Sequence, residues 1–252
     1  MSLKEDSGKK IRKKKAQWKI DTVADFEVME DTFLKERLLS KDPTVKGTVR
    51  VTGGAVKNFN IEIPRNTRPL TDRMKVRIFD ILAKDIAKKT ILDLYAGSGS
   101  FGIEALSRGA KKATFIDASK YAEMVLKHNL EKTGYASSSE IIKMKADEFL
   151  PKSVTREKGS KWENGVTFDI IFIDPPYKLY NKKQLYKIED TITSAGKLLT
   201  GVEDTKVKFK GVVIVKHPRH YPIEKLNPEG LKLFETLEFG LNSISIYILK
   251  TK

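Results

Sequence analysis

The residues with the clearest chemical potential follow a short apolar segment and form the turn Asp174-Pro175-Pro176-Tyr177. Residues 170–173 are all apolar, which is typical of a parallel strand covered on both faces. The two prolines cannot continue such a strand, because proline lacks an N–H and fixes φ. We therefore expect the Asp174 carboxylate and nearby backbone carbonyls to present hydrogen-bond acceptors at the carboxyl end of a strand, where open α/β sheets bind ligands.

This acceptor-rich turn suits a substrate that presents an exocyclic NH2 group. Hydrogen bonds from the amine to Asp174 and to the Pro175 carbonyl would fix the nitrogen for attack. Tyr177 would stack on the flat ring, a contact worth about 1–3 kcal/mol per base. The alternative is an ordinary Pro-Pro turn with a surface tyrosine, and the segments upstream favour the first interpretation.

A glycine-containing loop earlier in the chain predicts a second ligand site. Residues 91–95 are predicted as a strand and residues 102–108 as a helix. Between them, Gly97 and Gly99 allow a ligand to approach the backbone closely. The loop is neither a full dinucleotide fingerprint nor a P-loop. Asp93 beside it repels pyrophosphate but suits S-adenosylmethionine, which carries a sulfonium and an ammonium.

Two further acids mark the next predicted strands. Asp117 closes the strand 113–117, about twenty residues after the loop, where a carboxylate can hold both hydroxyls of a ribose. We place a third strand at 141–147, with Asp147 at its end and near an adenine amine. Each acid alone is compatible with a surface position. Four acids near the ends of successive apolar strands together predict one ligand-binding edge.

Composition restricts the class of protein. The chain has 252 residues, a formal net charge of +15 and no cysteine. The charge predicts a polyanionic partner, nucleic acid in particular, rather than a merely soluble basic protein. The absence of cysteine excludes disulfides and thiolate metal sites and fits a reducing compartment. No apolar signal region or membrane-length stretch is present, so we expect a cytoplasmic protein.

The N-terminal part predicts an extension that contacts RNA. Residues 1–20 form a basic tail, either disordered or an RNA-contacting arm. Two alternating runs within residues 47–63 flank Gly53-Gly54 and predict a β-hairpin. Its basic residues are candidate phosphate contacts, although a solvated hairpin face is equally compatible with them. These residues are Arg50, Lys57, Arg65 and Arg68.

A capped helix is predicted next, with Thr71 or Asp72 as its N-cap. Val76 and Phe79 recur at helical spacing, and we expect their face to pack on the sheet. Basic side chains in the first turns oppose the helix dipole at a cost of about 0.3–1 kcal/mol, which a bound anion would offset. These basic side chains are Arg73, Lys75 and Arg77.

The rest of the chain completes an α/β sheet. We predict helices over 119–132 and about 181–199, an exposed insertion at 151–167, a fifth strand at 211–216, and a C-terminal antiparallel hairpin formed by 231–239 and 244–250. His217 and His220 follow the fifth strand. A two-histidine metal site needs further ligands, so we assign both histidines to a solvated loop and expect no metal.

Taken together, these features resemble the S-adenosylmethionine-dependent class I amino methyltransferases over about residues 71–250. Five segments are similar to the bacterial 16S rRNA guanine-N2 methyltransferases of the RsmD type. They are Arg50-Val-Thr-Gly-Gly54, Arg68-Pro-Leu-Thr-Asp-Arg73, Asp93-Leu-Tyr-Ala-Gly-Ser-Gly99, Glu104-Ala-Leu-Ser-Arg-Gly-Ala110 and Asp174-Pro-Pro-Tyr177. The chain departs from the family pattern at Val76 (usually Glu), at Asp80 (usually Asn) and at Lys216-His217, near which an acid is common.

The resemblance implies an α/β fold of the class I, Rossmann-like methyltransferase type. It has a seven-stranded, mostly parallel sheet with an antiparallel C-terminal strand, behind a small N-terminal β-hairpin extension. The implied organisation is a basic tail and short extension (1–45), an RNA-contacting β-hairpin (46–70) and a methyltransferase domain (71–252). The implied reaction transfers the methyl group of S-adenosyl-L-methionine to the N2 amine of a guanine. The implied partner is 16S ribosomal RNA or the small ribosomal subunit, with no membrane and no metal, and the protein would act as a monomer.

The resemblance also implies roles for individual residues. The target amine would be held by Asp174, Pro175, Pro176 and Tyr177. The cofactor would be bound by Asp93, Tyr95, Ala96, Gly97, Ser98, Gly99, Asp117, Ala118, Asp147 and Glu148. RNA would be contacted by Arg50, Lys57, Arg65, Arg68, Thr71, Asp72 and Arg73.

Two other functions fit the same residues. One is another nucleic-acid amino methyltransferase, such as a DNA adenine-N6 enzyme, which a comparison of guanine and adenine as acceptors would separate. The other is a non-catalytic RNA-binding ribosome assembly factor on the same fold, which would bind the cofactor without transferring its methyl group.

Overall fold

A computed structural model describes residues 45–65, 67–155, 158–159, 162–163, 165–180, 185–201, 209 and 211–250. Residues 44–252 form one compact unit. The predicted basic tail, the first residues of the predicted helix 181–199 and part of the predicted insertion lie outside the described residues.

The described residues form nine strands and five α-helices. The strands are β1 (Val45–Arg50), β2 (Asn60–Pro64), β3 (Thr90–Leu94), β4 (Lys112–Asp117), β5 (Ser139–Lys143), β6 (Ile170–Ile173), β7 (Val212–Pro218), β8 (Leu231–Phe239) and β9 (Asn242–Leu249). The helices are α1 (Asp72–Leu82), α2 (Ser100–Ser107), α3 (Lys120–Thr133), α4 (Ala146–Thr155) and α5 (Leu185–Gly196).

The main sheet has seven strands in the order β5-β4-β3-β6-β7-β9-β8, and β1 and β2 form a separate antiparallel pair. The five strands β3 to β7 are parallel to their neighbours in the sheet, whereas β9 is antiparallel to both β7 and β8. This topology confirms the predicted sheet and an antiparallel N-terminal pair, although residues 51–59 connect β1 to β2 and the predicted tight turn at Gly53-Gly54 is wrong. Strand order reverses between β3 and β6, and doubly wound sheets bind ligands at the carboxyl ends of the strands at such a switch point.

Strand β6 is apolar at every position because its side chains alternate between two buried cores. Ile170 and Phe172 belong to a core that includes residues of α1, α2 and α3. Ile171 and Ile173 belong to a second core with residues of α4 and α5. Because both faces of the strand are covered by helices, every position must be apolar. The Asp174 carboxylate follows at the point where this covering ends.

The predicted buried face of α1 is confirmed at Phe79 and wrong at Val76. The Val76 side chain is 42% exposed, and the buried residues include Met74, Lys75 and Ile78. Lys75 was expected to help bind an external anion. Instead its ammonium lies 3.7 Å from Glu104 Oε2 and also donates to the Arg50 carbonyl. An internal carboxylate therefore balances this lysine, which permits a charged residue on the buried face.

The third predicted strand is too long at its carboxyl end. Strand β5 ends at Lys143, and Asp147 lies in the first turn of α4. Acids are stabilised there by the helix dipole, which is why the acid marks a helix start rather than a strand end. The predicted exposed insertion is also partly wrong, because residues 151–155 complete α4 and Trp162 packs edge-on against Phe149 at 5.3 Å between ring centroids.

The assignment of His217 to a solvated loop is wrong, whereas His220 is exposed as expected. His217 is buried in β7. Its Nδ1 donates to the Pro218 carbonyl at 2.8 Å, and the Ser245 hydroxyl lies 2.9 Å from Nε2. Burial lowers the pKa of His217 to about 4, so the ring is neutral near pH 7. Among the described residues, no helix is long and apolar enough to cross a membrane.

Candidate active site

The glycine loop between β3 and α2 holds a buried acid beneath it. The Gly102 backbone N–H donates to Asp93 Oδ2 at 3.1 Å. Burial raises the pKa of Asp93 well above its usual range, and the nearby carboxylates of Asp174 and Asp117 raise it further. Close carboxylates favour a positive charge nearby. This environment matches the predicted cationic ligand.

The backbone of the loop turns back toward the sheet through left-handed residues. Tyr95, Gly97 and Gly99 have φ values of 61°, 54° and 73°. A Cβ at Gly97 would lie 2.3 Å from the Thr67 methyl carbon, so that position cannot hold a larger residue without displacement. The Gly97 N–H donates to Asp117 Oδ2 at 2.8 Å. The loop therefore aligns with the end of β4, as the predicted ribose acid requires.

A pocket opens between this loop, the end of β6 and the segment 67–70. It contains about 270 Å³ of empty space, part of it open to solvent, and its walls include Asp93, Tyr95, Ser98 and Asp174. The structure thus brings four predicted cofactor-binding residues, Asp93, Tyr95, Ala96 and Ser98, into one pocket with the predicted acceptor carboxylate. The functional role of each residue stays a prediction.

The predicted adenosine residues do not line this pocket. Asp117 receives a second hydrogen bond, 2.8 Å from the Ser119 N–H to Oδ1. Asp147 and Glu148 are exposed in the first turn of α4. The charge of Asp147 contributes, after burial, to raising the pKa of Tyr95 to about 12. Asp147 is therefore near the loop, although it approaches from a helix rather than from a strand end.

Ser100 is a pocket residue that the sequence did not single out. It is the first residue of α2, its side chain is buried, and its hydroxyl finds no hydrogen-bond partner among the described residues. A buried hydroxyl without a partner costs free energy, so such a group in a pocket wall points to a polar ligand. Its position directly after Gly99 is the sequence feature that could have identified it.

Asp174 is held by a buried cation at the end of β7. Lys216 Nζ lies 2.7 Å from Asp174 Oδ2 and 3.0 Å from Oδ1. Burial raises the pKa of Asp174, and the charges of Lys216 and Arg68 oppose that rise. In the sequence, Lys216 is only a departure from the family pattern. The structure shows that it contacts the predicted catalytic carboxylate.

Tyr177 is not a surface tyrosine, because its side chain is almost fully buried. The guanidinium of Arg68 lies over its ring, with Cζ 3.9 Å from the ring centroid. Pro175 is buried beside it and Pro176 is exposed. The ring face that a base would use is therefore covered by a cation in this structure.

The predicted RNA-contacting residues differ in exposure. Lys57 and Arg73 are exposed, whereas Arg65 and Arg68 are half-buried. Several of them contact other parts of the protein, as Arg68 does at the Tyr177 ring. Arg50 pairs with Asp72 at 2.9 Å, and the Thr71 hydroxyl caps α1 by accepting from the Met74 N–H at 3.3 Å.

The tip of the β1–β2 hairpin is anchored to α2. Glu104 accepts from the Thr52 N–H and from the Thr52 hydroxyl, both at 2.7 Å. The Ser107 hydroxyl donates to the Gly53 carbonyl at 2.6 Å. A Cβ at Gly54 would lie 1.9 Å from the Ser107 carbonyl oxygen, so this close approach requires glycine. Two segments quoted for the family resemblance are therefore in direct contact.

A second link joins the hairpin to the loop. The Asn129 side chain, fully buried on α3, accepts from the Glu62 N–H at 2.8 Å and donates to the Glu62 carbonyl at 2.8 Å. It also donates to the Ser98 carbonyl at 3.0 Å. Because one amide satisfies both segments, β2 and the glycine loop have a fixed relative position.

The fold and the composition of this pocket define a class I methyltransferase. Residues 49–248 match the family described as conserved hypothetical protein 95, and the chain belongs to that family of RsmD-type proteins. A relative from Haemophilus influenzae, ribosomal RNA small subunit methyltransferase D, is 30% identical over 81% of this chain and 96% of its own length. The Escherichia coli protein of the same name is 33% identical over 52% of this chain and 62% of its own length.

Solved structures show the same fold. The Escherichia coli protein YhhF, provisionally described as a methyltransferase, has a TM-score of 0.63 and 25% identity, covering 82% of this chain and 100% of its own. TrmN from Thermus thermophilus has a TM-score of 0.54 and 19% identity, covering 72% of this chain and 49% of its own.

Proposed function

We propose that this protein transfers the methyl group of S-adenosyl-L-methionine to the N2 amine of a guanine in the 16S RNA of the small ribosomal subunit. The observation that carries this proposal is that Asp93 and Asp174 share one pocket. A cofactor over the glycine loop and an amine on the acceptor turn would therefore be neighbours. The names of the relatives and the net charge of +15 support ribosomal RNA as the acceptor.

The residues of the pocket fit this cofactor by their chemistry. The buried carboxylate of Asp93 would attract its ammonium and sulfonium charges, and the Ser100 hydroxyl would gain the hydrogen-bond partner that it lacks. Because Gly97 has no side chain, Thr67 packs directly against the loop at the edge of this pocket. Asp117, at the end of β4, would bind the ribose hydroxyls, and Asp147 would lie near the adenine.

The cofactor, when bound, supplies an electrophilic methyl group on sulfur. Asp174 and the Pro175 carbonyl would each accept a hydrogen bond from the target amine and so fix its nitrogen. The new N–C bond forms as the S–C bond breaks, and the extra proton on nitrogen leaves late, to the Asp174 carboxylate or to water. Most of the acceleration would come from holding two reactants in line.

The target guanine must be unpaired or flipped to reach this pocket. A base that stacks on Tyr177 would take the place of the Arg68 guanidinium, which covers the ring at 3.9 Å. The displaced guanidinium of Arg68 would then contact a phosphate, which would link base entry to a contact with the RNA backbone. We also propose that the hairpin 46–70 contributes to RNA binding and that the protein acts in the cytoplasm as a monomer.

Replacement of Asp174 tests the proposal. Asp174→Ala should abolish methyl transfer to undermethylated small subunits while S-adenosylmethionine still binds, because the cofactor residues lie on other elements. Binding is measured by calorimetry and transfer by labelled methyl incorporation. Asp190→Ala, on α5, is the matched control and should transfer at the wild-type rate. Retained transfer in Asp174→Ala would overturn the assignment.

A further inference from the structure

Lys216 is a buried lysine in the acceptor site whose function the reaction above does not define. Its side chain is 4% exposed at the carboxyl end of β7. An ammonium has three N–H donors, and three oxygen atoms surround this one. Two are the carboxylate oxygens of Asp174, at 2.7 and 3.0 Å, and the third is the Arg68 carbonyl, at 3.5 Å.

The surroundings of Lys216 hold it in one orientation. The Tyr180 hydroxyl donates to the backbone carbonyl of Lys216, which fixes the end of β7 against the turn after β6. The Asp174 N–H in turn donates to the Leu94 carbonyl at 3.3 Å. Both charged residues therefore extend from anchored backbone. A buried ion pair stabilises its site only when its geometry is good and its remaining donors are satisfied.

We propose that Lys216 is a positioning residue of the acceptor site, which keeps the Asp174 carboxylate ionised and aimed into the pocket and fastens the segment 67–70 beside it. This inference rests on the proposed function for its catalytic consequence. The contacts that support it are the two from Lys216 Nζ to the Asp174 carboxylate and the third to the Arg68 carbonyl in the pocket wall.

The charges around Asp174 set the direction of the effect. Lys216 and Arg68 are the cations that face it, Asp93 is the facing acid, and the Tyr180 phenol is neutral because burial raises its pKa well above the usual value. Burial favours the protonated form of Asp174, and the two cations favour the carboxylate. Without Lys216, only Arg68 opposes burial, so the pKa of Asp174 rises.

A protonated Asp174 is a poorer partner for an amine, because one of its oxygens becomes a donor. Lys216 therefore extends methyl transfer to lower pH. One adjacent opposite charge shifts a carboxyl pKa by about 1–3 units, so its removal moves the low-pH limit of transfer upward by about that amount.

The first test measures the titration of Asp174 directly and needs no substrate. The 13C carboxyl shift of Asp174, assigned by comparison with Asp174→Asn, is followed against pH in the wild type and in Lys216→Met. The midpoint should rise by about 1–3 pH units in Lys216→Met. Lys216→Arg should keep the wild-type midpoint, and so should the exposed control Lys225→Met. Lys216→Gln provides a second neutral variant if the methionine variant does not fold.

The second test is the pH profile of methyl transfer at saturating substrates. The low-pH limb of the profile should shift to higher pH in Lys216→Met and lie at its wild-type pH in Lys216→Arg. The dissociation constant of S-adenosylmethionine should be unchanged in both variants. An unshifted midpoint and an unshifted limb would overturn the inference, as would an equal loss of transfer at every pH. If the wild type transfers no methyl group to any acceptor, the proposed function fails, and the carboxyl titration still decides whether Lys216 holds Asp174 ionised.

Discussion

Glu104 connects the hairpin to the helix that follows the glycine loop, and its replacement tests that connection. Its carboxylate is fully buried, 3.7 Å from Lys75 Nζ, and accepts at 2.9 Å from Arg108 Nε. It also receives both hydrogen bonds from Thr52. Glu104→Gln keeps the shape of the side chain and removes the charge that balances the buried lysine.

The cost of this change follows from burial. Removing one member of a buried ion pair leaves an uncompensated charge and destabilises a protein by about 3–5 kcal/mol. Domains of this kind are stable by about 5–15 kcal/mol, so the variant should lose a large part of its free energy of unfolding. Asp72, 3.6 Å from Lys75, remains and keeps the loss near the lower limit.

Urea unfolding of Glu104→Gln at pH 7 measures the loss, and the double variant Lys75→Met/Glu104→Gln identifies its cause. The double variant leaves no unbalanced buried charge, so it should recover part of the lost stability. Burial lowers the pKa of Lys75 in the folded state. The unfolded state then binds more protons, so the stability of Glu104→Gln should also rise as the pH increases toward the unfolded pKa of about 10.4.

Two results would refute this reasoning. A loss below about 1 kcal/mol in Glu104→Gln would mean that the carboxylate contributes no more than an exposed ion pair. A double variant less stable than the single one would mean that the unbalanced charge of Lys75 is not the cause. Glu131→Gln, on α3, is the control for a change of net charge.

Further predictions concern the cofactor and the response to acid. Ser100→Ala should weaken S-adenosylmethionine binding about two- to tenfold, since one hydrogen bond contributes about 0.5–1.5 kcal/mol, and should not lower the unfolding free energy of the cofactor-free protein, where the hydroxyl has no partner; calorimetry that shows equal affinity would exclude a cofactor contact. Burial lowers the pKa of His217 to about 4. As the pH falls, this histidine is protonated in the unfolded state before it is protonated in the folded state. The free energy of unfolding should therefore fall by about 3 kcal/mol between pH 7 and pH 4. Urea unfolding should show this slope in the wild type and a smaller slope in His217→Gln.

The local features of the site were predictable from sequence, because each depends on neighbouring residues. The apolar run before Asp174 requires a strand buried on both faces, and Gly97 and Gly99 require the left-handed backbone that the loop adopts. The alternation of apolar and polar residues on either side of Gly53-Gly54 likewise predicted the antiparallel pair of β1 and β2. Strand order followed from the resemblance, which supplied the long-range arrangement.

The long-range pairs were not predictable from pattern. Lys216 is 42 positions from Asp174 in the chain, and nothing in the apolar run of β7 indicates that its side chain contacts a carboxylate. Lys75 was expected to be balanced by a bound anion, because nothing in the sequence identifies Glu104, on another helix, as its buried partner. Asp147 was misplaced because a polar residue after an apolar run marks either a strand end or a helix start.

The most direct measurement is the transfer of labelled methyl from S-adenosylmethionine, followed by digestion of the acceptor to nucleosides. The acceptors are undermethylated small ribosomal subunits, naked 16S RNA and duplex DNA. We predict N2-methylguanosine from a ribosomal acceptor and no label in DNA. Label in adenine of DNA, or no label in any acceptor despite tight binding of S-adenosylmethionine, would contradict the proposed function.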